Sequence, residues 1–169
     1  MSEKENDRLT HAYDRMMERV RHFMEVTEGK ALPKLERAID QARTAATELG
    51  EITREEAETI GGYIKRDIRD LAGYLNETGA EFRTWLNIDL ELVEAKLLEL
   101  IASVADKTRI ELSDLASRAQ EAAYWHTGEI TGPGTLACTS CGERLHFHQT
   151  GHIPPCPKCH ASRFRRMRG

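Results

Sequence analysis

The sequence predicts a mainly α-helical protein, with elongated, antiparallel helical hairpins in a coiled-coil-like bundle, followed by a small C-terminal β unit. Three observations predict it. Charged residues make up 31% of the 169 residues and aromatics only 6%, which suits long helices that bury a narrow apolar stripe rather than a thick sandwich core. Apolar side chains recur at alternating steps of three and four through the first half of the chain, the spacing that lays one seam along a helix. All four cysteines and four of the five prolines lie beyond residue 130. Charge divides at the same place: residues 130–169 carry six basic side chains and one acidic one, a net of +5, whereas the preceding 129 residues carry −9. Such asymmetry marks two regions with different work, here a helical region over 1–128 and a second unit over 129–169.

The elements follow in order. Ser2 and Glu5 are spaced as a capping box, and the seam Leu9, Tyr13, Met16, Val20, Phe23 and Thr27 defines a first helix, with Gly29 as its stop. Pro33 suits the first turn of a second helix, whose seam is Leu32, Leu35, Ile39, Ala42, Ala46 and Leu49, closed by Gly50. The short connection predicts an antiparallel hairpin. Thr53 and Glu56 form another capping box, opening a third helix on Ala57, Ile60, Ile64, Ile68, Leu71 and Leu75. Two consecutive steps of four interrupt the heptad there. A fourth helix over about 80–105 is the most apolar, with Phe82, Trp85, Leu86, Leu90, Val93, Leu97, Leu100, Ile101 and Val104. A fifth, capped by Asp106 or Thr108, runs to about His126 on Ile110, Leu112, Leu115, Ala119 and Ala122. Gly128, Gly132, Pro133 and Gly134 then make a loop.

Cys138-Thr-Ser-Cys141 and Cys156-Pro-Lys-Cys159 are 14 residues apart. This spacing is the strongest signal in the chain. Two residues between paired cysteines let a tight turn aim both thiolates at one ion, and two such knuckles joined by a hairpin complete a tetrahedral four-sulfur site. Thiolates in that geometry select zinc, with iron the main competitor. Because protein fills all four positions, the site is structural rather than catalytic. A disulfide pair, a rubredoxin-like iron centre and a thioredoxin-like redox motif are the competing readings. A unit of about 40 residues whose apolar anchors are Leu136, Leu145, Phe147, Ile153 and Phe164 needs a metal, since burial alone rarely holds so small a module. Strand parity places Leu145 and Phe147 on one face with His146 and His148 on the other, and turns Phe164 inward while Arg163 and Arg165 point out.

Tyr63-Ile-Lys-Arg-Asp-Ile-Arg-Asp-Leu, Asp106-Lys-Thr-Arg-Ile-Glu-Leu and the join His126-Thr-Gly-Glu-Ile-Thr-Gly-Pro-Gly-Thr-Leu-Ala-Cys resemble a bacterial zinc-ribbon-containing family of unassigned function (YbeL-like). The resemblance covers nearly the whole chain and implies a helical region followed by a four-cysteine zinc ribbon, with Cys138, Cys141, Cys156 and Cys159 as ligands of one structural zinc. His160 is a departure, because a ribbon knuckle usually has Gly after its last cysteine. That position often needs positive φ, which His tolerates better than a β-branched residue would.

The expected function is non-catalytic. Clustered Arg supplies phosphate contacts, so Arg144, Lys158, Arg163, Arg165, Arg166 and Arg168 are the candidate contacts to nucleic acid or to a transcription or translation complex. The alternative is a protein-interaction scaffold, including a homo-oligomer, acting through the heptad seams with a purely structural ribbon. His146, His148, His152 and His160 as a second metal site is a weaker reading. Trp85, Trp125 and Tyr124 are expected to pack, the last two anchoring the ribbon to the helices. No serine elbow, phosphate-binding glycine loop or HExxH motif is present, so no enzyme and no small-molecule substrate is expected. No apolar run reaches the roughly 18 residues of a membrane span, so integral membrane association is not expected. The acids on the polar faces of 54–105 disfavour a membrane-surface role. The charged N-terminus lacks a signal-peptide core, which points to the cytoplasm, where thiols stay reduced.

Overall fold

A computed structural model describes residues 2–26, 34–78, 94–104 and 124–167. Helix α1 spans Glu3–Val26, α2 Lys34–Glu48 and α3 Arg54–Thr78; residues 95–104 are also helical and form the described part of α4. The capping box at α3 is complete: the Glu56 amide donates to Thr53 Oγ1 at 3.2 Å, and the Thr53 amide donates to Glu56 Oε2 at 2.8 Å. Two of the otherwise orphaned amides at the helix start are thereby satisfied.

Each helix buries the face its periodicity predicts. In α1 the expected seam is joined by Ala12, Met17 and Met24, so the buried stripe has the width of a globular-bundle helix rather than of a two-position seam. In α2 Leu35, Ala38, Ile39, Ala42 and Ala46 are buried, and in α3 Ala57, Ile60, Ile64, Ile68 and Leu71. Together with Leu97, Leu100, Ile101 and Val104 they form one core. Leu49 departs from the expected seam and is 67% exposed, because α2 stops at Glu48 and the helical period no longer governs where the next side chain points. Ion pairs align the helices. Arg43 reaches Glu58, while Lys65 and Arg69 share Glu36, which sets α2 antiparallel to α3. Arg8 grips Glu56 through both terminal nitrogens, at 3.1 and 2.6 Å, and Arg19 grips Glu51 at 2.8 Å twice. Pairs left partly in water add little stability, but a two-point arginine grip fixes orientation. The Glu56 and Glu51 carboxyls lie below the ordinary range, chiefly through these arginine hydrogen bonds.

Thr27, Gly29, Leu32 and Pro33, the fourth-helix positions before residue 94 and the fifth-helix positions 106–122 lie outside the described residues. The expectation that the fifth helix runs to His126 is corrected. Trp125–His126 is a β-strand, β1, because Trp125 is drawn opposite Phe164 and His126 opposite Arg163. The other strands are β2 (Ile130–Thr131), β3 (Gly134–Cys138), β4 (Arg144–Phe147), β5 (Gly151–His152) and β6 (Arg163–Arg166). A four-stranded sheet runs β1-β6-β3-β4, antiparallel throughout, and β2 pairs with β5 in a second small sheet. The ribbon has its own core of Trp125, Leu136, Cys138, Ile153, Cys156 and Phe164, against which Leu145 and Phe147 pack. Ile130 of β2, by contrast, is buried in the helical core, so the ribbon is docked on the helices.

Gly134 carries a close approach at that junction. Its φ is +142°, and a Cβ there would lie 2.0 Å from Arg166 Nη1. The neighbour cannot step aside, since Arg166 is buried and donates to the Pro133 carbonyl and to Thr131 Oγ1. Gly134→Ala is therefore expected to lower stability by about 1–3 kcal/mol, read as a shift in urea midpoint at unchanged m-value.

Candidate metal centre

The two knuckles share one construction. Gly142 N donates to Cys138 O and Cys138 N to Glu143 O; His160 N donates to Cys156 O and Cys156 N to Ala161 O. The residue after each second cysteine takes positive φ, +77° at Gly142 and +59° at His160. The left-handed position expected of His160 is thus present in a non-glycine residue, the uncommon conformation that a histidine tolerates. β3 delivers Cys138, the turn after it Cys141, and the loop before β6 brings Cys156 and Cys159 alongside.

The four sulfurs lie within 4.8 Å of one another. Cys138 and Cys159 are 3.6 Å apart, and Cys141 and Cys156 3.5 Å. A tetrahedral ion with metal–sulfur bonds of about 2.3 Å requires sulfur–sulfur separations of about 3.8 Å, so these residues fit a four-thiolate metal. The thiols respond to each other as well. Desolvation raises Cys138, but the amides of Cys141 and Ser140, with the thiols of Cys159 and Cys141, outweigh it and bring it down to about 6. Cys156 is lowered in the same way, desolvation being outweighed by the amides of Cys159 and Lys158 and by two thiols. Cys141 accepts the Glu143 amide, which lowers it, yet desolvation and the three other sulfurs push it up to about 12. The Ala161 amide and the Cys141 thiol lower Cys159, but desolvation, Cys138 and Cys156 outweigh them and leave it raised. Four sulfurs this close share protons until a cation replaces them. Among the described residues no second group of this kind forms, and His146, His148, His152 and His160 are not gathered.

The basic residues divide. On β6 Arg163 and Arg165 are exposed, as are Arg144 and His146 on β4 and His126 on β1. Register puts Arg165 and Arg144 either side of Ala137, and Arg163 opposite His126, so all five share one sheet face, on which no strand position is acidic. Lys158 is exposed on the second knuckle, and Arg168 lies outside the described residues. Tyr124, expected to pack, is 42% exposed because it precedes β1 at the sheet margin, and the Arg163 guanidinium stands 4.8 Å over its ring.

Arg166, expected among the outward contacts, is a correction. Its side chain is 1% exposed, because parity turns it to the face of Phe164. It lies 5.1 Å over the Trp125 ring and 3.8 Å from Asp67. Asp67 of α3 is the residue the sequence reading missed. One carboxylate oxygen accepts from the Tyr13 hydroxyl at 2.6 Å, the Gly132 amide at 2.9 Å and the Thr131 hydroxyl at 3.4 Å. The other accepts from Trp125 Nε1 at 2.9 Å and from Arg66 Nε at 3.2 Å. Arg66 continues to Glu129 and to the Ile130 carbonyl. The joint between helices and ribbon is thus a buried, fully bonded carboxylate, with Trp125 anchoring as expected.

The family described as zinc-ribbon containing domain matches the chain over residues 5–168. Three curated relatives, from Escherichia coli strains K12, O6:H1 and O157:H7, are each called uncharacterized protein YbeL. Each is 28% identical over 132 residues, covering 76% of this chain and 79% of the relative. No solved structure matches the chain.

Proposed function

The chain belongs to the family of zinc-ribbon containing domains, and from that premise we propose that it is a non-catalytic zinc-binding accessory factor whose ribbon holds nucleic acid, free or within a nucleoprotein complex. One zinc on Cys138, Cys141, Cys156 and Cys159 shapes the ribbon. With every coordination position filled by sulfur, it leaves no place for a substrate or an activated water. The observation that carries the reading is the outer sheet face, where three antiparallel strands gather Arg144, Arg163 and Arg165 with no acid among them. Phosphate contacts from such arginines supply affinity and its salt dependence.

A scaffold acting through the helices would need its apolar seams at the surface. Those of α1, α2 and α3 are spent on one intramolecular core, and among the described residues the large exposed hydrophobics are Leu49 and Tyr124. This supports the ribbon as the working surface. No described helix is long and apolar enough to cross a membrane.

The test is a gel-retardation series with the full chain carrying its metal. Replacing Arg144, Arg163 and Arg165 with Ala is expected to weaken binding and to reduce the log–log salt slope by about one unit per arginine. Substitution is preferable to removing 163–169, which would also take Phe164 and Arg166 out of the fold. Affinity and slope both unchanged in the triple variant would overturn the reading.

A further inference from the structure

Resting on the nucleic-acid reading above, we infer that the outer face of the ribbon takes a single strand, with a base stacked at Tyr124 and Arg163 and phosphates on Arg144 and Arg165. Tyr124 is a large aromatic left 42% exposed, at the margin of a face whose other outward residues are cationic, polar or small. The Arg163 guanidinium stands 4.8 Å over its ring, a cation–π contact. Tyrosine rings and arginine planes are the groups on which unpaired bases stack, and a base still in a duplex presents no free face to them.

The spacing of charge agrees. With neighbouring strands about 4.8 Å apart, Arg165 and Arg144 stand about 10 Å from one another across Ala137, and Arg163 lies about 7 Å further along β6. The residue between Arg165 and Arg144, Ala137, is small and buried, so the flanking guanidinium groups are what this face offers to solvent. A flexible phosphate chain can run from one to the next while it turns a base toward Tyr124. Duplex readout instead requires an element that projects into a groove about 12 Å wide, and the cations here sit on one face of a sheet whose strands are at most five residues long.

The experiment is fluorescence anisotropy with the full metal-loaded chain and labelled mixed-sequence oligonucleotides of about 15 nucleotides, as single-stranded DNA, single-stranded RNA and duplex DNA. Variants are checked for metal content and helicity. Either single strand is expected to bind more tightly than the duplex, with a salt slope near −0.7 per phosphate contacted. Tyr124→Leu is expected to weaken single-strand binding about fivefold or more, while Tyr124→Phe, which keeps the ring, retains it. A duplex bound as tightly as the single strands, with Tyr124→Leu silent and the triple arginine variant weakened, would overturn the single-strand inference and leave the nucleic-acid reading intact. Retention of no probe at low salt would overturn both.

Discussion

Asp67→Ala is expected to lower the free energy of unfolding by about 3–5 kcal/mol, the range for removing one partner of a buried ion pair. The substitution strips Arg166, 1% exposed, of a counter-charge 3.8 Å away. It also removes the acceptor of the Tyr13 hydroxyl, the Trp125 indole and the Gly132 amide, each of which would stay buried without its partner. Asp67→Asn should fall nearly as far, since an amide has the shape but not the charge. The double change Asp67→Ala with Arg166→Met should cost much less than the sum of the two single changes, as for residues in one network. Urea unfolding of the parent, the two single variants and the double variant checks this, and additivity of the two single changes would show that Asp67 and Arg166 do not act together in the joint. The pH dependence has a definite sign. Burial alone would raise Asp67, but Arg66 and Arg166, with the Tyr13 and Gly132 hydrogen bonds, hold it below the ordinary carboxylate range. Its contribution is therefore complete above about pH 4, the unfolded value, and is lost as pH falls through the lower folded value. Burial pulls Arg166 down despite Asp67 and Asp70, yet a guanidinium stays protonated throughout this range.

Cys156→Ser, or removal of the metal by a chelator, is expected to unfold the ribbon while most of the helical signal at 222 nm survives. The ribbon core holds six buried residues, two of them cysteines, too few to close without the roughly 10–16 kcal/mol that apparent zinc binding supplies to small modules. The helical core is built from helix residues, with Ile130 as its contribution from the ribbon. It should persist with a lowered thermal midpoint, because the loss of β2 and β6 uncovers Asp67. Hydrogen exchange over 125–166 against 9–71 separates the two regions. Protected ribbon strands in protein with far less than one equivalent of metal would count against the metal-dependent fold. Wholesale loss of helicity would show that helices and ribbon unfold as one unit.

The metal centre was legible in the sequence because the requirement is local. Two-residue gaps and a hairpin are enough to bring four sulfurs together, and the positive φ at His160 follows from the knuckle itself. The helices were legible where the period is unbroken, up to Leu49, where the helix and its period end together. The joint was harder to read, for a physical reason. The interrupted heptad of α3 becomes regular if it is followed through Ala57, Ile60, Ile64, Asp67 and Leu71, so the charged residue stands at a core position, and a reading by hydrophobicity steps around it. The same rule hid Arg166: parity assigned it to the face of Phe164, while its charge suggested solvent. Each looks misplaced alone, and they are explained by partners distant in the chain, Trp125 among them, which no local pattern can reveal. Trp125–His126 reads from the sequence as the end of a helix because two residues are too few to show a strand period.

The sheet order β1-β6-β3-β4 also sets a timetable for synthesis. β6 lies between β1 and β3 but leaves the ribosome after both, so no nascent ribbon can close until residues 163–166 have emerged. Asp67 waits about a hundred residues for Arg166, roughly 5–20 s at ordinary translation rates. Until then Arg66 and the Tyr13 hydroxyl, both synthesised earlier, are at hand for the carboxylate. The last charge to reach the Asp67 carboxylate is therefore the one that β6 carries, and the joint between helices and ribbon is completed at the end of synthesis.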